Sequence, residues 1–161
     1  MADLVTQALS FMTLLSDVLL VLGIILYHQF KNHRYPKLLA KNAPYLIITV
    51  ALVSMMGSLF FSEIKGFEPC KLCWYQRIFM YPIFFIGVVG LRIKQSTKWQ
   101  VLTLSVLGGV VAIYHVLSNI FSTVCTDGCA IMFFKELGYV TIPVMSLTAF
   151  LVIIFLASIS K

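Results

Sequence analysis

The chain is a succession of long apolar runs broken by short polar links. Five runs can be drawn, at about Leu9–Phe30, Pro44–Phe61, Lys71–Leu91, Trp99–Phe121 and Val140–Ile159. Each is close to the roughly 20 residues that an α-helix needs to cross a hydrocarbon core. In lipid, backbone polar groups must be satisfied within the segment or in a closed barrel. Barrel strands alternate apolar and polar positions, whereas these runs are continuous, so helices are expected. The pattern predicts an all-α membrane protein with five spans, and shows no repeat, low-complexity tract or soluble domain.

Composition agrees with this reading. Of the 161 residues, 60% are hydrophobic and 11% charged, against about 45–50% and 25% in soluble domains. The net charge of +6 would raise the question of nucleic acid in a soluble protein. Here the basic residues sit in the links, and membrane orientation accounts for them. Lys31, Arg34, Lys37 and Lys41 follow the first run, Arg92, Lys94 and Lys98 the third, and Lys161 the last, with no acid among them. The alternate links hold Asp3, then Glu63, Lys65, Glu68 and Lys71, then Asp127, Lys135 and Glu136. The positive-inside rule places the first group in the cytoplasm and the N-terminus outside. The first run does not read as a secretory signal. It lacks a basic n-region, Asp17 interrupts it, and Lys31 to Arg34 are not a small-residue cleavage site.

Four cysteines in two close pairs then bring in chemistry. Cys70 and Cys73 lie between the second and third runs, Cys125 and Cys129 between the fourth and fifth. Both links fall on the face opposite the basic ones, where disulfides form and persist. A Cys70–Cys73 disulfide closes a very small ring, constrains little of the unfolded chain and makes a poor staple. Strained, exposed disulfides are the labile and catalytic kind. Pro69 suits the first turn of a helix, which sets this pair at the start of the third span. The partial positive charge there favours a thiolate. In the second pair, Asp127-Gly128 is a turn signal that lets Cys125 and Cys129 approach each other. The stretch Ala130–Gly138 reads either as a short interfacial helix stopped by Gly138 or as a plain connection.

Several other residues have two readings. Arg77 follows Cys73 by four positions, on the same helical face. Arginine at the bilayer centre costs roughly 2.5–3.5 kcal/mol, so either a partner such as a Cys73 thiolate or snorkelling to the headgroups is expected. His115 can move protons or pack inside the bundle with an ordinary partner. Asp17 is an intramembrane acid, a functional suspect, or an acid near the outer interface beside Thr13 and Ser16. Gly108-Gly109 permit close helix approach. Met55-Met56 read as packing, and Trp74, Tyr75 and Tyr81 as interfacial anchors or pocket walls.

The run Cys70-Lys71-Leu72-Cys73-Trp74-Tyr75-Gln76-Arg77 closely resembles the Cys-x-Leu-Cys, aromatic-rich, Arg motif of the DsbB-type disulfide bond formation proteins. Gly138-Tyr139-Val140-Thr141-Ile142-Pro143 is similar to the segment that opens their last helix. The resemblance covers about Pro44 to the C-terminus and points to the compact BdbC-like members. It implies a four-helix bundle over residues 44–161 with two external cysteine loops, preceded by an extra transmembrane helix and basic cytoplasmic linker over residues 1–43. It further implies a bacterial cytoplasmic-membrane thiol oxidase that takes electrons from a DsbA-like thioredoxin-fold partner and passes them to a quinone, ubiquinone or menaquinone. By motif, Cys73 resembles the cysteine that reacts with the quinone, Arg77 the arginine beside it, and Cys70 the relay to the second loop. Cys125 resembles the cysteine bonded to the partner, with Cys129 its resolving mate. In that setting His115 is a candidate for hydrogen bonding a quinone carbonyl, and no metal is expected.

Three rival functions are compatible with two cysteine pairs in a membrane. In a vitamin K epoxide reductase-like enzyme the reactive Cys-x-x-Cys comes last in the bundle, the reverse of the order here. A four-thiolate zinc or copper protein is allowed by the spacing but not favoured by an oxidising compartment. A passive subunit with two structural disulfides conflicts with the small first ring. The expected sidedness has a direct test. A membrane-impermeant thiol reagent applied outside intact cells should modify both reduced pairs, and a pair reachable only from the cytosol would overturn the topology.

Overall fold

The computed structural model describes residues 2–29, 34–121 and 136–160. They form five long helices: α1 (Ala2–Gln29), α2 (Arg34–Leu59), α3 (Lys71–Ile93), α4 (Lys98–Phe121) and α5 (Ile142–Ile159). All five are long and apolar enough to cross a membrane, and the chain is a multi-pass membrane protein. The second helix, expected from Pro44, starts at Arg34, so the basic stretch from Arg34 to Lys41 is helical and not a loop. Pro36 lies in its first turn, where a missing N–H costs nothing. Pro44 in α2 and Pro82 in α3 lie inside their helices, which neighbouring spans make tolerable.

Helices α2, α3, α4 and α5 form the bundle, each packed on its neighbours in the order α2–α3–α4–α5 and back to α2. Without a hydrophobic drive between helices in lipid, close packing has to hold them together. Small residues supply it: Ala43, Ala51, Ala112 and Ala157 are fully buried around Ile83, Phe150 and Ile153. A Cβ added at Gly108 would run into the Phe150 ring and touch Phe79, so the close approach expected at Gly108-Gly109 is used between α4 and α5. Many large apolar side chains point outward, among them Leu15, Leu22, Ile78, Val110 and Ile120, as lipid-facing residues should. At the far end of α5, Lys98 Nζ donates to the Ser160 carbonyl at 2.6 Å, a cation on the end carbonyls of a helix.

Helix α1 stands outside this ring, on α5 and, more lightly, α2. It runs parallel to α5: Asp17 meets Thr148, and Gly23 lies against Phe155. Asp17 Oδ1 accepts from Thr148 Oγ1 at 2.7 Å and Oδ2 from the Tyr139 hydroxyl at 2.8 Å. An acid at mid-span costs about 2.5–3.5 kcal/mol on insertion scales unless it is partnered. The two hydroxyl donors partner it and key α1 to α5.

Helices α1, α3 and α5 start at the same end of the molecule, where α2 and α4 finish. There, α2 loosens into a π-helical turn, Phe60–Ile64. The chain then folds back, Phe67 N–H donating to the Phe61 carbonyl at 3.0 Å and the two rings stacking at 6.1 Å. This carries Phe67, Glu68 and Pro69 over the end of the bundle. At the same end, Glu136 and Val140 exchange backbone hydrogen bonds of 3.0 and 2.9 Å around Leu137 and Gly138, both left-handed. The stretch Ala130–Gly138, read as a short helix or a plain connection, lies up to Lys135 outside the described residues; its last part is this tight turn. Replacing Gly108 by Leu is expected to cost about 1–3 kcal/mol by overpacking against Phe150, read as a lower thermal midpoint in detergent. Gly109→Ala should be tolerated, because the nearest atom to its added Cβ is 3.6 Å away.

Candidate active site

Cys70 is the N-cap of α3. Its backbone is extended (φ −67°, ψ 170°), and its sulfur accepts the Cys73 N–H at 3.4 Å. Pro69 before it holds Glu68 away from helical backbone, and the free N–H groups of the first turn make a sulfur acceptor welcome. One turn on, Cys73 Sγ comes to 3.2 Å from Cys70 Sγ, and Cys70 donates its S–H to it. Both are free thiols, half-buried.

A second pair of side chains closes on Cys70 from α4. His115 is 2% exposed, and its Nε2 lies 3.7 Å from Cys70 Sγ. Its Nδ1 is 3.0 Å from the amide nitrogen of Gln76, itself only 6% exposed. An amide nitrogen donates, so Gln76 makes Nδ1 the acceptor and leaves the ring proton on Nε2, facing the sulfur. The Cys70 thiol is pushed up to about 11, first by its hydrogen bond to Cys73 and then by burial; His115 and the Cys73 N–H pull the other way. The thiolate-favouring effect expected of the helix N-terminus is therefore present at Cys70 but outweighed. Cys70 keeps its proton at neutral pH, and Cys73 is the sulfur that receives a hydrogen bond.

Cys73 faces a partly open cavity of about 250 Å³ lined by α1, α2, α3, α5 and the Phe67–Pro69 segment. Gln76, Arg77, Met80 and Tyr81 continue its α3 wall, while Val50, Val53, Ala149 and Val152 make apolar parts of the others. The Arg77 side chain lies on this wall but is already held: Nε donates to Ser58 Oγ at 2.9 Å and Nη2 to the Ser58 carbonyl at 3.0 Å. Its guanidinium carbon also lies 5.2 Å from the centre of the Trp74 ring, a cation–π contact. Arg77 is thus fastened to α2 beside the cavity, with guanidinium donors to spare. The Tyr81 hydroxyl is buried without a hydrogen-bond partner among the described residues. His115 is not on the cavity wall; its ring serves Cys70. Cys125 and Cys129 lie outside the described residues, and so does any four-thiolate cluster built from both pairs. Cys70, Cys73 and His115 bring their ligand atoms within 4.8 Å of one another, a set that a soft metal ion could also use.

Ser58 and Gln76 are not singled out in the sequence reading. Ser54, Ser58 and Ser62 recur every four residues, a polar stripe along one face of a span that needs a partner. Gln76 is a polar residue three positions after Cys73 inside an apolar run, and the same argument applies to it.

The motif that carries these side chains has relatives. The family model described as "Disulfide bond formation protein DsbB" matches residues 40–159. The chain belongs to the DsbB family. Among similar proteins, "Disulfide bond formation protein C" of Bacillus subtilis strain 168 is 40% identical over 120 residues, covering 70% of this chain and 87% of that protein. The "SPbeta prophage-derived disulfide bond formation protein B" of the same organism is 41% identical over 129 residues, 76% of this chain and 84% of its own length. "Probable disulfide formation protein C" of Halalkalibacterium halodurans is 40% identical over 116 residues, 67% and 84% of the two chains. No solved structure matches the chain. The DsbB-family chain is therefore a disulfide bond formation protein close to the Bacillus BdbC type, and membership implies thiol oxidoreductase activity. Helix α1 lies entirely before the matched region.

The pH behaviour of the pair is open to test. Cys73→Ala removes the largest cause of the Cys70 shift, so the Cys70 pKa should fall from about 11 toward the ordinary thiol range. Alkylation of the reduced protein, followed against pH by mass spectrometry, would then reach half its limiting rate at lower pH. An unmoved profile would show that Cys73 is not what holds the Cys70 proton.

Proposed function

We propose that this chain is a quinone-dependent membrane thiol oxidase that reoxidises a DsbA-like thioredoxin-fold protein outside the cytoplasm. In this reading residues 44–161 are the catalytic bundle of a bacterial cytoplasmic-membrane protein. Its N-terminus and both cysteine pairs are extracytoplasmic and its C-terminus cytoplasmic. The observation that carries the proposal is the placement of Cys73: one sulfur of a contacting Cys-x-x-Cys pair forms part of the wall of a cavity between membrane-spanning helices. A partner protein in water and an acceptor in lipid can both reach such a pair.

The cavity fits a quinone head group. Its volume of about 250 Å³ lies just below the usual span for a small-molecule site, about 300–1,000 Å³, which suits a ring whose isoprenoid tail leaves into lipid. Cys73 and Arg77 would face the ring, Arg77 with N–H donors for a carbonyl oxygen. A quinone, ubiquinone or menaquinone, supplies there an acceptor of two electrons and two protons.

In this reading the thiol steps run through the two pairs in turn. The partner's dithiol exchanges with the Cys125–Cys129 disulfide, the partner leaving oxidised and Cys125 and Cys129 reduced. That dithiol then exchanges with the Cys70–Cys73 disulfide, breaking one S–S bond and forming another. When Cys70 is attacked, Cys73 leaves as the thiolate, favoured by its place in the first turn of α3. When Cys70 is released in turn, the His115 Nε2–H is in place to donate a hydrogen bond to the leaving sulfur, with Gln76 fixing the tautomer. Two electrons and two protons leave the protein as Cys70 and Cys73 close to a disulfide again, which resets the pair. In one cycle one partner dithiol becomes a disulfide and one quinone becomes a quinol.

Turnover with a reduced thioredoxin-fold oxidase and a short-chain quinone, followed by quinone absorbance, tests the proposal. The full-length protein in lipid nanodiscs should reduce one quinone per partner disulfide formed, and Cys73→Ser should abolish this. A Cys73→Ser protein that still oxidised the partner with quinone as acceptor would sink the assignment. His115→Ala should slow the cycle about tenfold, the scale of one hydrogen bond to a charged sulfur.

A further inference from the structure

Helix α1 precedes the family match, yet its side chains are arranged for the bundle. Thr6, Ser10 and Thr13 are buried on one face, and Asp17 continues the same stripe. Leu4, Phe11, Leu15, Val18 and Leu22 are exposed on the others. An anchor that only crosses lipid has no use for a polar stripe turned toward protein. The stripe meets the cavity: Leu9, Met12, Thr13 and Ser16 of α1 line the space onto which Cys73 and Arg77 face. Thr13 spends its hydrogen on the Leu9 carbonyl at 2.8 Å. Ser16 lines the cavity without a hydrogen-bond partner among the described residues.

The next residue, Asp17, makes the two bonds that fix α1 on the α5 side, to Thr148 in α5 and to Tyr139 in the turn before it. Toward α2 the helix is held less firmly, approaching at Leu9 against Gly57. The cavity lies along this lighter seam, with Thr49, Val53 and Ser54 of α2 also on its wall.

We propose that α1 is the lipid-side wall of the acceptor site, in which Ser16 donates a hydrogen bond to the bound quinone and Asp17 is the positioning residue that holds the wall against α5. This rests on the quinone-oxidase reading and deepens it. Without α1 the cavity would lose one of its four helical walls and open sideways. With α1 keyed by Asp17, the acceptor enters along the α1–α2 seam and finds the Ser16 hydroxyl in a fixed place.

Two measurements on the full-length protein in nanodiscs test this. In steady-state assays with a short-chain benzoquinone and with a short-chain naphthoquinone, Ser16→Ala should raise the quinone KM about tenfold, the scale of one hydrogen bond, and change kcat far less. Ser16→Thr, which restores the hydroxyl, should recover most of the affinity. Asp17→Ala should raise KM at least as much, and Asp17→Asn, which keeps one acceptor oxygen, should raise it less. A purely structural loss would instead lower the active fraction and leave KM alone. Separately, azido derivatives of the two quinones, photolysed on the wild-type protein, should label α1 between Leu9 and Ser16 as well as α2, α3 and α5. Label confined to α2, α3 and α5, with KM unmoved in the Ser16 variants, overturns the role of α1 and leaves the oxidase reading intact. A wild-type protein that neither reduces nor is labelled by either quinone defeats the oxidase reading itself.

Discussion

The hydrogen bond from the Cys73 N–H to the Cys70 sulfur is the contact on which the site depends. It makes Cys70 the cap of α3 and so sets the pair at the boundary between loop and span. A capping sulfur is held in place by the backbone, and the next sulfur follows from helical geometry alone, one turn on. From that boundary the two thiols look in different directions. Cys70 is turned toward His115 on α4, and Cys73 toward the cavity lined by α1, α2, α3 and α5. The difference in their surroundings separates their chemistry. One sulfur has an imidazole N–H beside it and holds its proton; the other receives a hydrogen bond and borders the cavity.

Rigid placement of these groups is a matter of packing. In lipid, α4 can bring His115 to α3 only if its neighbours come close, and Gly108 against Phe150 provides that approach on the α5 side. On the other side of α3, Arg77 reaches across to Ser58 and is held in a plane by Trp74. Three charged or polar side chains among the spans therefore have their own fastenings: Arg77 to Ser58, His115 to Gln76, Asp17 to Thr148 and Tyr139. These fastenings fix the register of the helices, since a shift of one turn in any of them would leave a polar group unpaired where water does not reach.

Much of this was readable in the chain itself. Continuous apolar runs located all five helices, because the length of a span is imposed by the bilayer. Pro69 pointed to a helix start near Cys70, although it lies just before the cap and not in the first turn, and the use of Gly108 followed from the need for close approach in lipid. Three things were not readable. The start of α2 at Arg34 was hidden because basic residues and prolines look like a link, although lysine and arginine are good helix formers and proline is at home in a first turn. The partners of the interior polar residues were hidden because they depend on which helices are neighbours. A sequence shows that Arg77, His115 and Asp17 need partners; it does not show that they are Ser58, Gln76 and Tyr139 with Thr148. The pKa of Cys70 was hidden for the same reason: the helix terminus argues for a thiolate, and the 3.2 Å approach of Cys73, together with burial, reverses the balance.

The parallel course of α1 and α5 has a topological consequence. A bundle of four spans returns its two ends to the same side of the bilayer, and one added span parts them. Ala2, where α1 begins, lies at the end of the bundle that carries Cys70, whereas Ser160, where α5 ends, lies at the other. A folded module joined ahead of α1 would share a compartment with the thiols and could be tethered as their own electron donor. The same module joined after α5 would be walled off from them by the membrane.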